Sequence, residues 1–507
     1  MILSSDEIEL VGESHDKSAL ENVKQLLRSY IPGIDQLPSW NGRITVQDLP
    51  GSNLLQKLEA VLDREKISVV PKVRLAASIG KSSLEIMEAR EDNLSLTVDA
   101  VLYPDYSDLD NLLPSLKKIG IRAVVRGGGT GVTGGFRRVS AKKRALIDVS
   151  RLRNLEVDGY IARAGPGLRG GELERSLNAM GLTLGHFPES LLQSTVGGWI
   201  STRASGQESN QYGDIEDIVL GVTLYRSDFK VTDSASPRES SGITAKSLAI
   251  GGEGRTGLIG DAWLKVDRLP GRRYYSSFFF RSFRDGVKFL SARTGFPAVV
   301  RLSDRTETKF MLSASGNSTS KKLLLSWMRI RKIREDSGSL MIVVSNDRHS
   351  WRAVHGAVRS GSTVARKWEK ERFGRPDIGN GLWRMGLIPD TLETSSPWDR
   401  IVKIHESTIS LFNGKCRELG IEGVIMAHIS HLYRTGAAIY FTFMITSPAD
   451  RGSHNLRIIR DAMVRGFLEH GGSVSHHHGI GTDFLPMLDG GKRSLLQLVE
   501  DPVLGDE

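Results

Sequence analysis

Residues Arg126–Gly135 read RGGGTGVTGG, six glycines in ten positions, and this stretch constrains the fold more than any other. Glycine loses the most backbone entropy on folding, so such a run is kept where φ must be positive or where something approaches the backbone closely. It directly follows the β-prone run Arg122–Val125, where a loop can turn consecutive backbone N–H groups inward on an anion. The Gly-Lys-Ser/Thr ending of a P-loop is absent. Gly129–Gly134 does spell GxGxxG, but the following Gly135-Phe-Arg-Arg-Val-Ser does not read as a helix. The strand, glycine turn and helix of a Rossmann site are therefore not expected.

Two further segments share this character. Gly185–Gly213 reads GHFPESLLQSTVGGWISTRASGQESNQYG, and small hydroxyl and glycine residues crowd Ser194–Gly206. Such residues suit a backbone lying against a flat aromatic cofactor. A third cluster, Ile250-Gly-Gly-Glu-Gly-Arg-Thr-Gly, precedes an apolar run. The chain has 54 glycines in 507 residues, above ordinary usage. Its length calls for two or three domains. With 39% hydrophobic and 25% charged residues it is globular rather than disordered. The lone Cys416 excludes an intrachain disulfide and any cysteine-cluster metal centre, and fits a reducing compartment.

The N-terminus MILSSDEIEL is acidic where a signal peptide is basic, no run of about 18 apolar residues is present, and the C-terminal Leu504–Glu507 is no peroxisomal signal. The expected location is cytoplasmic, with peripheral membrane association as an open extension. Net charge is +9, but Gly271–Arg375 holds 23 Lys+Arg against 8 Asp+Glu, a local balance of +15. This segment favours an acidic partner such as a phosphate, a carboxylate or an anionic lipid surface. Lys321–Arg334 could form a basic helix on a membrane, although Arg331 and Arg334 fall among its apolar positions. No nucleic-acid-binding motif accompanies the charge, so no nucleic acid is expected.

The periodicity predicts helices over Asp108–Lys118, Gly170–Met180, Asp347–Arg359, Trp398–Leu419 and Asn455–His470. Strands are expected near Leu96–Tyr103, Arg122–Val125, Leu146–Val149, Gly159–Ala164 and Ile218–Tyr225. After Pro270, the β-prone runs Tyr274–Phe280, Ala298–Leu302, Leu340–Val344 and Ala437–Met444 predict an α+β unit with an antiparallel sheet. His428 and His431, spaced i, i+3, could together with His477 ligate a metal, but no carboxylate partner is evident and no metal is expected.

The three glycine-rich segments, in this order, resemble the FAD-linked flavoproteins of the vanillyl-alcohol oxidase and p-cresol methylhydroxylase type. Within that group the chain is similar to the alkyldihydroxyacetonephosphate synthase branch. The motifs are Gly185–Gly206, Tyr212–Val219 (YGDIEDIV), Asp390–Arg400 (DTLETSSPWDR), Ala427–Phe443 (AHISHLYRTGAAIYFTF) and Gly471–Gly481 (GGSVSHHHGIG). The resemblance implies an α+β protein with a two-subdomain FAD-binding domain over residues 71–270 and an antiparallel cap over 271–450. An N-terminal helical segment, 1–70, and a C-terminal helical segment carrying the three histidines, 451–507, flank them.

By the same resemblance, Arg126, Gly127, Gly128, Gly129, Thr130, Gly131 and Gly134 would hold the FAD pyrophosphate. Glu189, Ser190, Ser194, Thr195, Gly198, Ser201 and Ala204 would lie along the flavin, and Glu253, Gly254 and Ile259 would complete the cofactor site. No Cys or His stands in the glycine loop where relatives attach the cofactor, so FAD is expected to be non-covalent. Tyr440, His476, His477 and His478 are the implied catalytic residues, and Arg301, Arg400, His428 and His431 the implied substrate-binding residues. Imidazoles suit this place because they exchange protons near neutral pH and bind anionic oxygens when protonated.

The implied reaction exchanges the acyl group of acyl-dihydroxyacetone phosphate for a fatty alcohol at flavin N5, an ether-forming step without net redox. The partners are then a phosphorylated or carboxylate small molecule and a fatty alcohol, with a homodimer and peripheral membrane contact also open. Two alternatives stand beside it: oxidation of a D-2-hydroxy acid such as D-lactate or glycolate, and a flavin-binding, membrane-associated protein with altered or lost catalysis. The chain departs from the family where an arginine usually precedes PWDR by about 20 residues, since Gly379 stands there. The third glycine motif carries Arg255 in place of the usual threonine.

Overall fold

The computed structural model describes residues 7–45, 49, 51–91, 93–95, 97–137, 143–314, 338–348, 351, 354–448 and 450–505. The expected basic helix Lys321–Arg334 lies outside them. The first half of the chain builds two small sheets. One has strands β1 (Ile67–Ser68), β2 (Ala100–Leu102), β3 (Arg122–Arg126) and β4 (Arg144–Asp148) in the order β1-β2-β4-β3. β4 runs parallel to β2 and β3, while β1 is antiparallel to β2. The helix Leu109–Lys118 places Leu109, Leu112, Leu113 and Leu116 on one buried stripe against this sheet. Pro114 is tolerated inside that helix on its exposed side.

The second sheet has β5 (Leu155–Asp158), β6 (Ile161–Ala164), β7 (Val219–Tyr225), β8 (Lys230–Thr232) and β9 (Leu258–Lys265) in the order β8-β7-β9-β6-β5. Its core receives Leu173 and Leu177 from the helix Gly170–Ala179 and Val196, Trp199 and Ile200 from the helix Val196–Thr202.

The rest of the chain forms a seven-stranded antiparallel sheet: β10 (Tyr274–Phe280), β11 (Val299–Ser303), β12 (Ser339–Ser345), β13 (Ala357–Gly361), β14 (Ile388–Pro397), β15 (Gly423–Leu432) and β16 (Gly436–Ile445). Their order is β13-β10-β12-β11-β15-β16-β14. The expected helix Asp347–Arg359 is a correction, since residues 357–361 instead form the edge strand β13, paired with Phe278–Phe280 of β10. Edge pairing satisfies backbone groups that an isolated helix over the same residues would leave bare on β10.

The helices Trp398–Leu419 and Gly452–Glu469 cover one face of this sheet. Ile401, Ile404, Thr408, Phe412 and Cys416 recur every three or four residues and make the buried stripe of the first. Cys416 is thus a core residue, and burial pushes its thiol up to about 11.

The two terminal stretches divide among these units. Ile8, Leu10, Val11 and Ile44 join the core of the large sheet, whereas Leu54, Leu58 and Leu62 join that of the first small sheet. At the other end, Val503 and Leu504 also pack on the small sheet, and Ala123 N–H donates to the Val503 carbonyl at 3.0 Å. The tail thereby covers the free edge of β3. No helix among the described residues is long and apolar enough to cross a membrane.

Candidate active site

The face of the large sheet opposite the helices Trp398–Leu419 and Gly452–Glu469 carries a row of polar side chains set by strand register. Glu393 of β14 stands opposite Tyr440 of β16, and Tyr440 stands opposite His428 of β15. The rings of His428 and Tyr440 are 5.0 Å apart. In a regular strand His431 would point away from His428, because side chains alternate with period two. A register shift between Ile429 and His431 adds one residue, Ser430, and returns His431 to the same face, opposite Ala438. The i, i+3 spacing in the sequence is therefore the mark of a β-bulge, not of a helical face.

The loop after the helix Gly452–Glu469 lays three histidines over this row. Buried Glu393 gathers their backbone: its carboxylate accepts from the N–H groups of His476, His477 and His478 at 2.8–3.1 Å and from the Ser475 hydroxyl at 2.7 Å. Burial alone would push Glu393 up, but the adjoining His477, His478 and His476 and the N–H donors outweigh it and hold the carboxyl well below its usual range. Burial drives His477 and His431 well below the usual imidazole range, with neighbouring imidazoles adding to the effect at both. His478 is pushed down by the same burial. Burial first, and then the nearby Glu189, raise the Tyr440 phenol, so it stays protonated. The rings pack closely, with His431 5.1 Å from His476 and Tyr440 6.2 Å from His477.

A second carboxylate clips the far end of the loop. Glu253, in the left-handed region at φ 50, accepts from Ile480 N–H at 2.6 Å and Gly481 N–H at 3.1 Å. This side chain joins the third glycine-rich segment to the histidine loop. Arg255, the departure from the family motif, is fully buried beside it and donates to the Gly481 carbonyl at 2.9 Å.

Other expected residues also make contacts within the protein. The Arg126 guanidinium donates to the carbonyls of Ala76, Ala77 and Ile79, so its charge serves the C-terminal end of the helix Pro71–Ser78. Ser194 accepts from Trp199 Nε1 at 2.8 Å and donates to Ser190 carbonyl, and Ile259 is buried in the core of the second sheet. Arg301 is paired with Glu307 and lies 3.0 Å from His428 Nδ1, at the end of the row. Arg400 is exposed and rests against Gly471, making no hydrogen bond or ion pair with the histidines. Gly379 has open space where a side chain would stand. The nearby Arg384 donates to the Gly12 carbonyl at 3.0 Å.

The remaining residues form a cradle that fits FAD. A Cβ on Gly127 would overlap Thr195 Oγ1, and one on Gly128 would overlap the Gln193 carbonyl. The glycine loop and residues 193–195 can therefore lie against each other only because both positions are glycine. Gly129 and Gly134 take positive φ of 65 and 74, and Gly131 faces open space. Lys81 donates its backbone N–H to the Gly131 carbonyl. Its ammonium donates to the Leu10 carbonyl at 3.3 Å, and burial and then the like charge of Arg126 push it down. Thr195 caps the helix Val196–Thr202, with Gly198 N–H donating to its hydroxyl. Ser201 carbonyl accepts from Glu253 N–H, and Ala204 closes the segment.

The sequence reading passed over four residues here: Glu393, His186, Asp214 and Tyr433. His186 is wholly buried, 4.8 Å from the Trp199 ring, and neither ring nitrogen has a hydrogen-bond partner among the described residues. Burial pushes it down to about 4. An orphaned imidazole at the start of the second glycine-rich segment is a second observation that fits a bound cofactor or substrate. Its neighbours in GHFPES were the available signal. As to metals, His431, His476 and His477 each bring one nitrogen within 4.8 Å of the others, a trio that differs from His428, His431 and His477 by one member.

Residues 99–233 match the FAD binding domain family, and residues 269–491 match the C-terminal domain of FAD linked oxidases. The chain belongs to this family of FAD-linked oxidases and is an FAD-dependent flavoenzyme. More particularly, it is 26% identical over 464 residues to alkyldihydroxyacetonephosphate synthase of Trypanosoma brucei brucei, covering 86% of this chain and 75% of that protein. It shares its fold with a solved alkyldihydroxyacetonephosphate synthase structure, at TM-score 0.78 and 23% identity, covering 95% of this chain and 91% of that one. It is also 22% identical over 418 residues to the mitochondrial D-lactate dehydrogenase (cytochrome) of Arabidopsis thaliana, covering 77% of this chain and 68% of that protein.

Proposed function

We propose that the chain is an alkyldihydroxyacetonephosphate synthase-like enzyme that replaces the acyl group of acyl-dihydroxyacetone phosphate with a fatty alcohol. A fatty alcohol enters, a fatty acid leaves and the oxidation state is unchanged. The observation that carries this reading is the histidine loop drawn onto Glu393 beside Tyr440. It supplies unprotonated imidazoles and a protonated phenol in one dry site.

His477 takes the proton lost from carbon 1 of the substrate, a role open to an imidazole held neutral. Tyr440 donates its O–H to a substrate oxygen. The acyl group leaves as a carboxylate, His478 takes the O–H proton given up by the entering alcohol, and His477 returns its proton to carbon 1, while Glu393 holds the backbone of the three histidines in place. Arg301, steadied by Glu307, directs positive charge through His428 to the end of the row where the phosphate would lie. Gly127–Gly131, Gly134 and residues 189–204 hold FAD without a covalent bond. FAD, when bound, supplies an electron-accepting ring beside the substrate carbon. The basic stretch 271–375 would receive the phosphorylated substrate or a lipid surface, and a homodimer belongs to the same reading.

The D-lactate dehydrogenase relative supports a second reading, oxidation of a D-2-hydroxy acid, with His477 taking the hydroxyl proton. The two separate in one experiment: anaerobic incubation of the FAD-loaded protein with acyl-dihydroxyacetone phosphate and labelled fatty alcohol, then with D-lactate or glycolate. Labelled ether product with the flavin still yellow supports the synthase. Bleaching by a hydroxy acid, without ether product, overturns it in favour of the second. Neither result on a flavin-replete protein would mean that the open space at Gly379 has removed the catalysis.

A further inference from the structure

Tyr433 lies just after β15 and has no part in the reading above. Its phenol oxygen is 2.7 Å from Asp214 Oδ2 and 2.6 Å from His476 Nε2. A phenol has one proton. Once that proton is donated to the Asp214 carboxylate, the oxygen can only accept from His476. His476 must then carry its proton on Nε2 and present a lone pair at Nδ1. That Nδ1 is 3.0 Å from His477 Nδ1, so His477 must carry its own proton on Nδ1. Glu393 Oε2, an acceptor only, stands 3.5 Å from the same His477 Nδ1, too far for a good hydrogen bond but compatible with that tautomer. His477 Nε2 is left as a bare lone pair with no protein partner among the described residues.

We propose that Asp214 and Tyr433 are positioning residues that set the tautomers of His476 and His477, so that His477 Nε2 is the nitrogen open to a proton from the substrate. The chain of hydrogen bonds runs Asp214, Tyr433, His476, His477, and it crosses from the FAD-binding domain to the cap. Without Asp214 the phenol would turn its proton to His476 Nε2, and every bond beyond it would reverse. His477 would then offer an N–H where a base is needed. Around Tyr433 the other polar neighbours are Ser205 and Asp217. Around the imidazoles they are Glu393, His478, and His431, whose Nδ1 is occupied by the Ser209 hydroxyl at 2.9 Å.

The base role rests on the proposed function, but the tautomers do not, and the test separates them. The full chain, loaded with FAD and labelled with 15N-histidine, would give ring correlation spectra assigned with His476→Gln and His477→Gln. The expected spectrum shows His476 protonated on Nε2 and His477 on Nδ1, with both reversed or mixed in Asp214→Ala and Tyr433→Phe. Flavin content confirms that each variant is folded, and Tyr433→Phe suffices if Asp214→Ala fails to fold. In whichever reaction the protein performs, kcat should fall about 10²-fold or more with KM unchanged, as for a misassigned tautomer. The double variant should be no worse than either single one. Wild-type tautomers opposite to these, or tautomers unmoved in Tyr433→Phe, overturn the proposal whatever the substrate proves to be.

Discussion

Glu393 stands directly opposite Tyr440 in adjacent strands, so one register sets both the carboxylate that gathers the histidine loop and the phenol that faces it. A one-residue slip of β14 would turn Glu393 to the face packed by the helices Trp398–Leu419 and Gly452–Glu469. Glu393→Gln should therefore do more than remove a charge. Its amide nitrogen would confront N–H donors of the loop, costing about 1–3 kcal/mol for the groups left unpaired. The expected outcome is a lower melting temperature with FAD retained and turnover reduced about 10²-fold or more, read by flavin absorbance and steady-state rate.

Gly128 and Gly131 should respond oppositely to alanine. At Gly128 the new methyl overlaps the Gln193 carbonyl, so Gly128→Ala should separate the loop from residues 193–195 and yield protein with little flavin. At Gly131 the methyl meets nothing in the protein, so Gly131→Ala should leave apoprotein stability unchanged and weaken FAD binding alone. Thermal unfolding of apoprotein and fluorescence titration with FAD distinguish the two.

Stability should fall in mild acid. His186 is neutral when folded because burial pushes it down to about 4, while in the unfolded chain it titrates near the ordinary value of about 6.5. Between these values the unfolded state binds a proton that the folded state does not, so stability drops as pH falls. The loss from this one group is on the order of 3 kcal/mol at pH 4. His186→Gln should flatten the melting-temperature profile from pH 6.5 to 4 relative to wild type. The partly buried His477 and His478 are shifted in the same direction and leave a residual slope.

Arg460 is nearly inaccessible and bridges Asp390 at 2.8 Å and Asp483 at 3.0 Å. Asp483 in turn binds Arg137 at 2.7 Å, beside the glycine loop. Arg460→Met would leave two buried carboxylates without their shared cation, a loss of about 3–5 kcal/mol. Chemical denaturation should show that loss, and Asp390→Asn combined with Arg460→Met should recover part of it.

Much of the architecture was legible in local pattern. The helix Trp398–Leu419 coincides with its sequence prediction because an apolar stripe and the terminal Gly420, at φ 66, mark both its face and its end. The runs after Pro270 showed the antiparallel sheet because β-branched and aromatic residues recur in short bursts. β14 was not legible, since DTLETSSP looks like a polar loop, and it pairs along its full length only because β16 supplies the partner. Glu393 was hidden for the same reason. A carboxylate in a polar run carries no sign of burial until three N–H groups from a loop some 80 residues later are folded onto it.

Residue order by itself determined which segments can approach a flat anionic cofactor, because a missing Cβ is a property of the residue and not of its neighbours. It also brought three histidines together, since they are adjacent in the chain. Only the tertiary structure decided what those histidines can do. The bulge at Ser430 brings His431 to their side, Glu393 sets their backbone, and Asp214 sets their protons through Tyr433. Protonation state and orientation depend on distances between residues remote in sequence, and folding alone fixes those distances.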